Sequence, residues 1–350
     1  SHLKEDSRFK IFSYSKEKKL SLLNKYIKDC DFIFHLAGVN RSKELNNFNK
    51  INFKLTNHIC KQAKLSNKKI PILYTSTIQV KRKNHYGISK KKGEECLKKY
   101  ANQTKAKIYI LRLPNIFGKW AKPNYNSVIA TFCHNLANDR PIKIFNKNEL
   151  LSLLHIDDLI KVFINLLFTR KKNNVYVKLK NTHSIKIGKI EKYLREFSNN
   201  NFNLEAKCGV KSFKRKLYST FISYLPTRKF SYVISENRDT RGNFVEVTKN
   251  SAGQHSYFTA YPNIVRGGHY HHSKVEKFLI LKGKAEFIFR NITSNRVYKI
   301  NANARGNKIV FSIPGWAHTI KNIGKDEMIV FLWSCEVYSN KNPDTFNYKI

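Results

Sequence analysis

The stretch Pro71-Ile72-Leu73-Tyr74-Thr75-Ser76-Thr77-Ile78-Gln79-Val80, followed closely by Tyr86-Gly87-Ile88-Ser89-Lys90, decides the reading of the amino-terminal half. Pro71 to Tyr74 is a short apolar run of the kind that forms a buried strand, and Thr75, Ser76 and Thr77 put hydroxyls at its end. Tyr86 and Lys90 are four residues apart and on a helix share one face. An ammonium beneath a phenol favours phenolate and lowers a pKa that starts near ~10. A phenol tuned in this way passes a proton to or from a carbonyl or alcohol oxygen, with a Thr77 or Ser76 hydroxyl to hold that oxygen in place. The spacing alone carries little, because it recurs at Tyr14/Lys18, Tyr176/Lys180 and Tyr270/Lys274. Its setting, between a hydroxyl-tipped strand and the helix-like run Lys90 to Tyr100, sets Tyr86/Lys90 apart.

The flanking sequence alternates between strand and helix patterns. Ser1 to Asp6 reads as the tail of a helix, Phe9 to Phe12 as a strand and Leu20 to Ile27 as an amphipathic helix. Asp31 to Gly38 reads as a buried strand ending in small residues, which let a ligand approach the backbone. Phe48 to Leu65 is the next helix, Ile108 to Leu113 the next strand, and Val128 to Asn138, Leu159 to Phe168 and Ile187 to Phe197 are further helices. This order argues a doubly wound parallel α/β sheet. After the first strand, Ser13-Tyr14-Ser15-Lys16 offers no acid to hold a ribose hydroxyl. Lys16 either meets a 2′-phosphate there, favouring NADPH, or simply stands in solvent.

Ser198 to Arg228 reads as a polar connector, and from Phe230 the pattern changes to short strands separated by turns, the signature of a small β-barrel or jelly roll. Within it lie Gly268-His269-Tyr270-His271-His272-Ser273-Lys274-Val275-Glu276 and, well downstream, Pro314-Gly315-Trp316-Ala317-His318. Residues i and i+2 of a strand share a face, so His269 and His271 point the same way. Together with Glu276 and His318 they offer three imidazoles and a carboxylate to Zn²⁺ or a neighbouring divalent metal, with His272 to spare.

A chain of 350 residues that is 41% hydrophobic has room for two domains with full cores. No apolar run reaches the ~18 residues needed to span a membrane. Cys30, Cys60, Cys96, Cys133, Cys208 and Cys335 are scattered without a CxxC pair, which suits a reducing cytoplasm. The net charge of +42 comes from lysines spread along the chain, with no arginine-rich arm or nucleic-acid motif. That pattern argues against a nucleic-acid partner and suits an anionic substrate.

The order of His35-Leu36-Ala37-Gly38, Asn52, the hydroxyl strand tip, Tyr86-x-x-x-Lys90, Arg112-Leu113-Pro114-Asn115-Ile116-Phe117-Gly118 and Leu154-His155-Ile156-Asp157-Asp158 resembles that of the extended short-chain dehydrogenases/reductases. Many of these act on nucleotide sugars. The resemblance implies a catalytic Thr77, Tyr86 and Lys90, with Ser76 as the alternative hydroxyl. It places Leu36, Ala37, Gly38 and Asn52 at the cofactor and Asn115 at the sugar nucleotide. The family's first strand and Gly-rich phosphate loop would precede Ser1, and the only Met is Met328, so the chain is expected to begin partway into that domain.

The two histidine segments resemble the paired motifs of the cupin superfamily, down to Gly283 and Asn322. Asp239-Thr240-Arg241-Gly242-Asn243-Phe244 and Val265-Arg266-Gly267-Gly268-His269 also resemble elements of metal-free deoxysugar 3,5-epimerases, which would make Arg266 a substrate contact and His269 a base. A coordinated imidazole is not free to take a proton, and Glu276 and His318 complete a metal set, so His269 is read as a ligand. With Gly118 to Cys133 and Asn342-Pro343-Asp344-Thr345-Phe346, the whole resembles the bifunctional capsular-polysaccharide enzymes that fuse a reductase to a carboxyl-terminal cupin. That implies domains over residues 1–225 and 226–350 in a homodimer. It also implies C3 epimerisation of UDP-4-keto-6-deoxy-HexNAc and NADPH-dependent C4 reduction, giving UDP-2-acetamido-2,6-dideoxy-L-talose on the way to L-FucNAc. The alternative is a chain whose reductase half is inactive, leaving an epimerase or scaffold.

Overall fold

The computed structural model describes residues 3, 6–42, 44–169, 175–199, 212–250, 253–339, 341 and 343–350. Most of the helix tail expected at Ser1 to Asp6, the middle of the connector with Cys208, and Asn342 lie outside the described residues. The chain divides into two compact units, Ser1–Arg195 with Phe213–Leu225, and Glu196–Ser212 with Pro226–Ile350.

The first unit is Rossmann-like. β1 (Ile33–His35), β2 (Ile72–Thr77) and β3 (Ile108–Leu113) form a parallel sheet in that order. Alternation of side chains sends each strand's residues to both faces, and both faces are covered. Ile72, Tyr74, Ile108 and Ile110 pack with residues of the helices Leu20–Asp29, Leu55–Leu65 and His85–Thr104. Leu73, Tyr109 and Leu111 pack with Leu159, Phe163 and Leu166 of the helix Ile156–Phe168. β4 (Asn115–Phe117) runs parallel to β5 (Leu150–His155), which pairs antiparallel with β6 (His183–Lys186).

The strand expected at Phe9 to Phe12 is not formed. A strand exists through the partner that satisfies its amides and carbonyls, and residues 9–12 have no ladder among the described residues. Their aromatic rings pack instead, Phe12 on Tyr26 and Phe9 on Phe168. The expected helix from Phe48 opens with a π-helical stretch, Phe48–Lys54, which carries the buried Asn52. The segment Leu217 to Leu225 of the expected connector belongs mostly to a helix, Phe213–Ile222.

The second unit is all-β and antiparallel. Its strands are β7 (Glu236–Asp239), β8 (Gly242–Asn250), β9 (Gly253–Ala260), β10 (Val265–Tyr270), β11 (Glu276–Lys282), β12 (Lys284–Asn291), β13 (Val297–Asn303), β14 (Ile309–Ser312), β15 (Trp316–Asn322), β16 (Met328–Ser334) and β17 (Phe346–Asn347). One sheet runs β13-β12-β15-β10-β17 and the other β14-β11-β16-β9-β8-β7. Phe287, Phe289 and Ile320 of the first meet Phe258, Phe278, Ile280 and Val330 of the second in one core, the layering of a jelly roll.

Candidate active sites

In the first unit, site residues gather at the carboxyl ends of β1 and β2. The helix His85–Thr104 starts where Asn84 Oδ1 accepts from Gly87 N at 2.7 Å, which caps its first turn. That start places Tyr86, Lys90 and Glu94 on one face. Lys90 is 3% exposed. Its Nζ donates to Thr75 O at 2.9 Å and lies 4.7 Å from the centre of the Tyr74 ring. Burial pulls Lys90 down to about 8, with Glu94 opposing. Asn52 brackets the turn after β1, its Oδ1 accepting from Val39 N and its Nδ2 donating to Val39 O, each at 2.8 Å. A Cβ at Gly38 would come within 2.7 Å of Lys90 Nζ and 3.2 Å of Asn52 Oδ1, so a side chain there would displace the Lys90 ammonium. Leu36 and Ala37 stand exposed just before Gly38. Exposed Leu36, Ala37 and Gly38 thus follow β1 beside the buried Asn52 and Lys90, a residue set that fits the nicotinamide end of a cofactor.

The expected lowering of the Tyr86 phenol is not what the structure gives. Burial raises it, and the Thr77 hydroxyl offsets part of the rise. Lys90 turns its ammonium to Thr75 and Tyr74 rather than governing the phenol. The three hydroxyls of the strand tip are also distinguished. Ser76 Oγ donates to Glu94 Oε1 at 2.5 Å and Thr75 Oγ1 leans on His35 O, whereas Thr77 is the one beside Tyr86. Asn115 is exposed at the start of β4 with its Nδ2 on Ser152 O, and Lys16 is exposed on a turn with no hydrogen bond to the others. Glu94 went unnoticed in the sequence, although it continues the spacing of four from Tyr86 and Lys90.

In the second unit, β10 and β15 pair so that His269 stands opposite His318, and Glu276 opens β11. A bulge between Gly267 and His269 re-aims the strand, and Gly267 takes φ +92° where a Cβ would meet His318 O at 2.6 Å. The donor atoms of His269, His271, Glu276 and His318 all lie within 4.8 Å of one another. His271 Nδ1 sits 2.6 Å from Asp344 O; a carbonyl only accepts, so Nδ1 carries the proton and Nε2 faces Glu276 Oε2 at 3.1 Å. His318 Nδ1 is buried with no hydrogen-bond partner among the described residues. Burial pushes Glu276 up, but hydrogen bonds and charge from His271 and His318 override it and hold the carboxyl far below the usual range. Burial, then the His318 charge, takes His269 down to about 4. Three imidazoles, an ionised carboxylate and a buried nitrogen without a hydrogen-bond partner fit a divalent cation such as Zn²⁺.

The cluster opens into a cavity of about 320 Å³ lined also by Arg266, Lys274 and Ser334. Arg266 is partly committed, donating to Thr259 O at 3.0 Å and to Asn243 O at 3.4 Å. His272 is exposed. The sequence assigns no role to Asp344, and its role is local: its carboxylate accepts from the amides of His272, Ser273 and Lys274 at 2.8–2.9 Å. It thereby pins the loop between His271 and Glu276, two members of the cluster.

A Rossmann-like sheet with a Tyr-Lys pair, joined to a jelly roll with a three-histidine, one-carboxylate cluster, defines a short-chain dehydrogenase/reductase fused to a cupin. Residues 4–177 match the NAD dependent epimerase/dehydratase family, and residues 237–346 match the polysaccharide biosynthesis C-terminal domain. A UDP-2-acetamido-2,6-beta-L-arabino-hexul-4-ose reductase of Pseudomonas aeruginosa is 42% identical over 346 residues, covering 99% of this chain and 93% of that one. The crystal structure of the capsular polysaccharide assembling protein CapF from Staphylococcus aureus superposes with a TM-score of 0.92 at 34% identity, over 100% of this chain and 95% of that one. A UDP-glucuronic acid 4-epimerase from Bacillus cereus shares the fold of the first unit, with a TM-score of 0.53 at 19% identity over 64% of this chain and 83% of that one. The chain belongs to the CapF-like family of capsular polysaccharide proteins.

Proposed function

We propose that the chain is a two-site nucleotide-sugar enzyme. The cupin epimerises UDP-4-keto-6-deoxy-HexNAc at C3, and the Rossmann-like unit reduces the C4 ketone with NADPH towards UDP-2-acetamido-2,6-dideoxy-L-talose and L-FucNAc. The observation that carries the reductase reading is Tyr86, a phenol kept protonated by burial beside Thr77 and four residues from the buried Lys90. Reduction needs an acid at the carbonyl oxygen, and a raised phenol is that acid at neutral pH. The bound nicotinamide would supply hydride to C4. Thr77 Oγ1 holds the C4 oxygen, Tyr86 Oη gives it a proton as it becomes a hydroxyl, and solvent restores the phenol. The printed name of the Pseudomonas relative, a hexul-4-ose reductase, supports the same substrate class.

His269, His271, Glu276 and His318 would hold the metal, which polarises a sugar oxygen and so acidifies the C–H beside the ketone. His271 is kept in the ligating tautomer by the Asp344 carbonyl, and Arg266 borders the cavity as a substrate contact. Asn115 is assigned to the sugar nucleotide and Lys16 to the 2′-phosphate of NADPH. A cytoplasmic homodimer is part of the same reading, and sedimentation velocity reads its mass.

The test uses metal-loaded protein and UDP-4-keto-6-deoxy-HexNAc in D₂O. Without NADPH, deuterium enters C3; with NADPH, cofactor is consumed and the C4 alcohol forms. Absence of C3 exchange would sink the epimerase assignment. Exchange without NADPH oxidation would leave an epimerase with an inactive reductase half.

A further inference from the structure

Glu94 lies one helical turn beyond Lys90 and is 2% exposed. Its carboxylate accepts from Ser76 Oγ at 2.5 Å, Arg112 Nε at 3.0 Å, Arg112 Nη2 at 2.6 Å and Tyr176 OH at 2.9 Å. These donors come from the tip of β2, the end of β3 and the segment bridged to Ile110. Arg112 Nη2 also donates to Tyr176 OH at 3.0 Å, with the guanidinium 4.3 Å from the ring centre. A buried ion pair adds little net stability over apolar residues of the same volume, so stability alone does not explain the network. Its position does, because Ser76 immediately precedes Thr77 and Glu94 shares a helix face with Tyr86 and Lys90.

We propose that Glu94 is the positioning residue of the reductase site: it clamps the hydroxyl-tipped end of β2 against the helix that carries Tyr86 and Lys90, one turn beyond Lys90. The proposal rests on the reductase reading of those two residues. The titratable groups that interact with Lys90 are His35 of β1, Tyr74 of β2 and Glu94 of its own helix. Burial, then the Lys90 charge, takes His35 down to about 3, so it is neutral through the working range. Burial raises Tyr74, which stays protonated. Glu94 is therefore the charge that sets Lys90, and Arg112 moderates it.

The experiment follows Lys90 Nζ by NMR of ¹⁵N-lysine-labelled protein against pH, alongside the pH profile of keto-sugar reduction. Glu94→Gln lowers the Lys90 midpoint and Arg112→Gln raises it, each by ~0.5 pH unit or more, and the reduction limb follows. Arg112→Lys keeps the charge and loses the two-pronged clamp, so the midpoint holds while kcat falls and KM does not. Loosening of the fold alone would move the first two variants the same way, and that result overturns the proposal. So does a midpoint unchanged in both. If the midpoints split but the unmutated protein reduces no keto sugar, control of Lys90 by Glu94 stands and the reductase assignment falls.

Discussion

Replacing Lys90 by Met should stabilise the first unit at neutral pH while abolishing reduction. The fall in Lys90 from 10.5 to about 8 corresponds to about 3 kcal/mol held against folding whenever the amine is charged in the unfolded chain and burial resists it. Methionine fills a similar volume and loses one hydrogen bond to Thr75 O, about 1 kcal/mol. At pH 7 the variant is therefore about 2 kcal/mol more stable. Between pH 8 and 10.5 the unfolded chain holds a proton that the folded chain has released, so the stability of the unmutated protein rises with pH across that window. The advantage of the variant shrinks through it and reverses to about 1 kcal/mol in favour of lysine near pH 11. Native-state hydrogen exchange of the β2 and β3 amides reads this unit by itself. A variant less stable at pH 7, or a difference that does not change with pH, would refute the reasoning, because either outcome means that burial does not oppose the ammonium.

Tyr86→Phe should cut NADPH oxidation by ~10²-fold or more and leave deuterium uptake at C3 unchanged, since the proposed reductase and epimerase sites are built from residues of different units. Thr77→Ala should lower kcat of the reduction with little change in melting, whereas Ser76→Ala should lower the melting temperature by removing a donor from buried Glu94, a loss of ~1–3 kcal/mol. Asp344→Asn should weaken metal retention ~10–100-fold, measured as metal per chain after graded chelation. Glu276→Gln should abolish both metal retention and C3 exchange while the reduction of separately supplied epimerised ketone continues.

Much of this arrangement was legible. The strand at 72–77 and the helix carrying Tyr86 and Lys90 follow from local periodicity, which survives folding, and the pairing of His269 and His271 with Glu276 and His318 follows from the motif resemblance. What failed depended on partners. Phe9 to Phe12 has strand composition, yet a strand is a property of two segments, and residue pattern names only one. The choice among Thr75, Ser76 and Thr77 depended on Glu94 and His35, 18 and 40 residues away. The Tyr86 phenol was misjudged because spacing reveals a neighbouring charge but not the burial that outweighs it. Asp344 was invisible as a brace because its contacts are to backbone amides, which leave no trace in side-chain chemistry.

The brace at Asp344 also carries a consequence for biosynthesis. His271 takes its tautomer from a carbonyl 73 residues further along the chain, so no nascent chain that ends before Asp344 holds it in that state. If the cluster binds a metal, its donors reach their final arrangement only once Asp344 is in place. A chain stalled on the ribosome before Asp344 would present loosely held histidines to whatever cation the cell offers. Any selectivity of the cluster for an ion would then depend on timing as well as on ligand geometry.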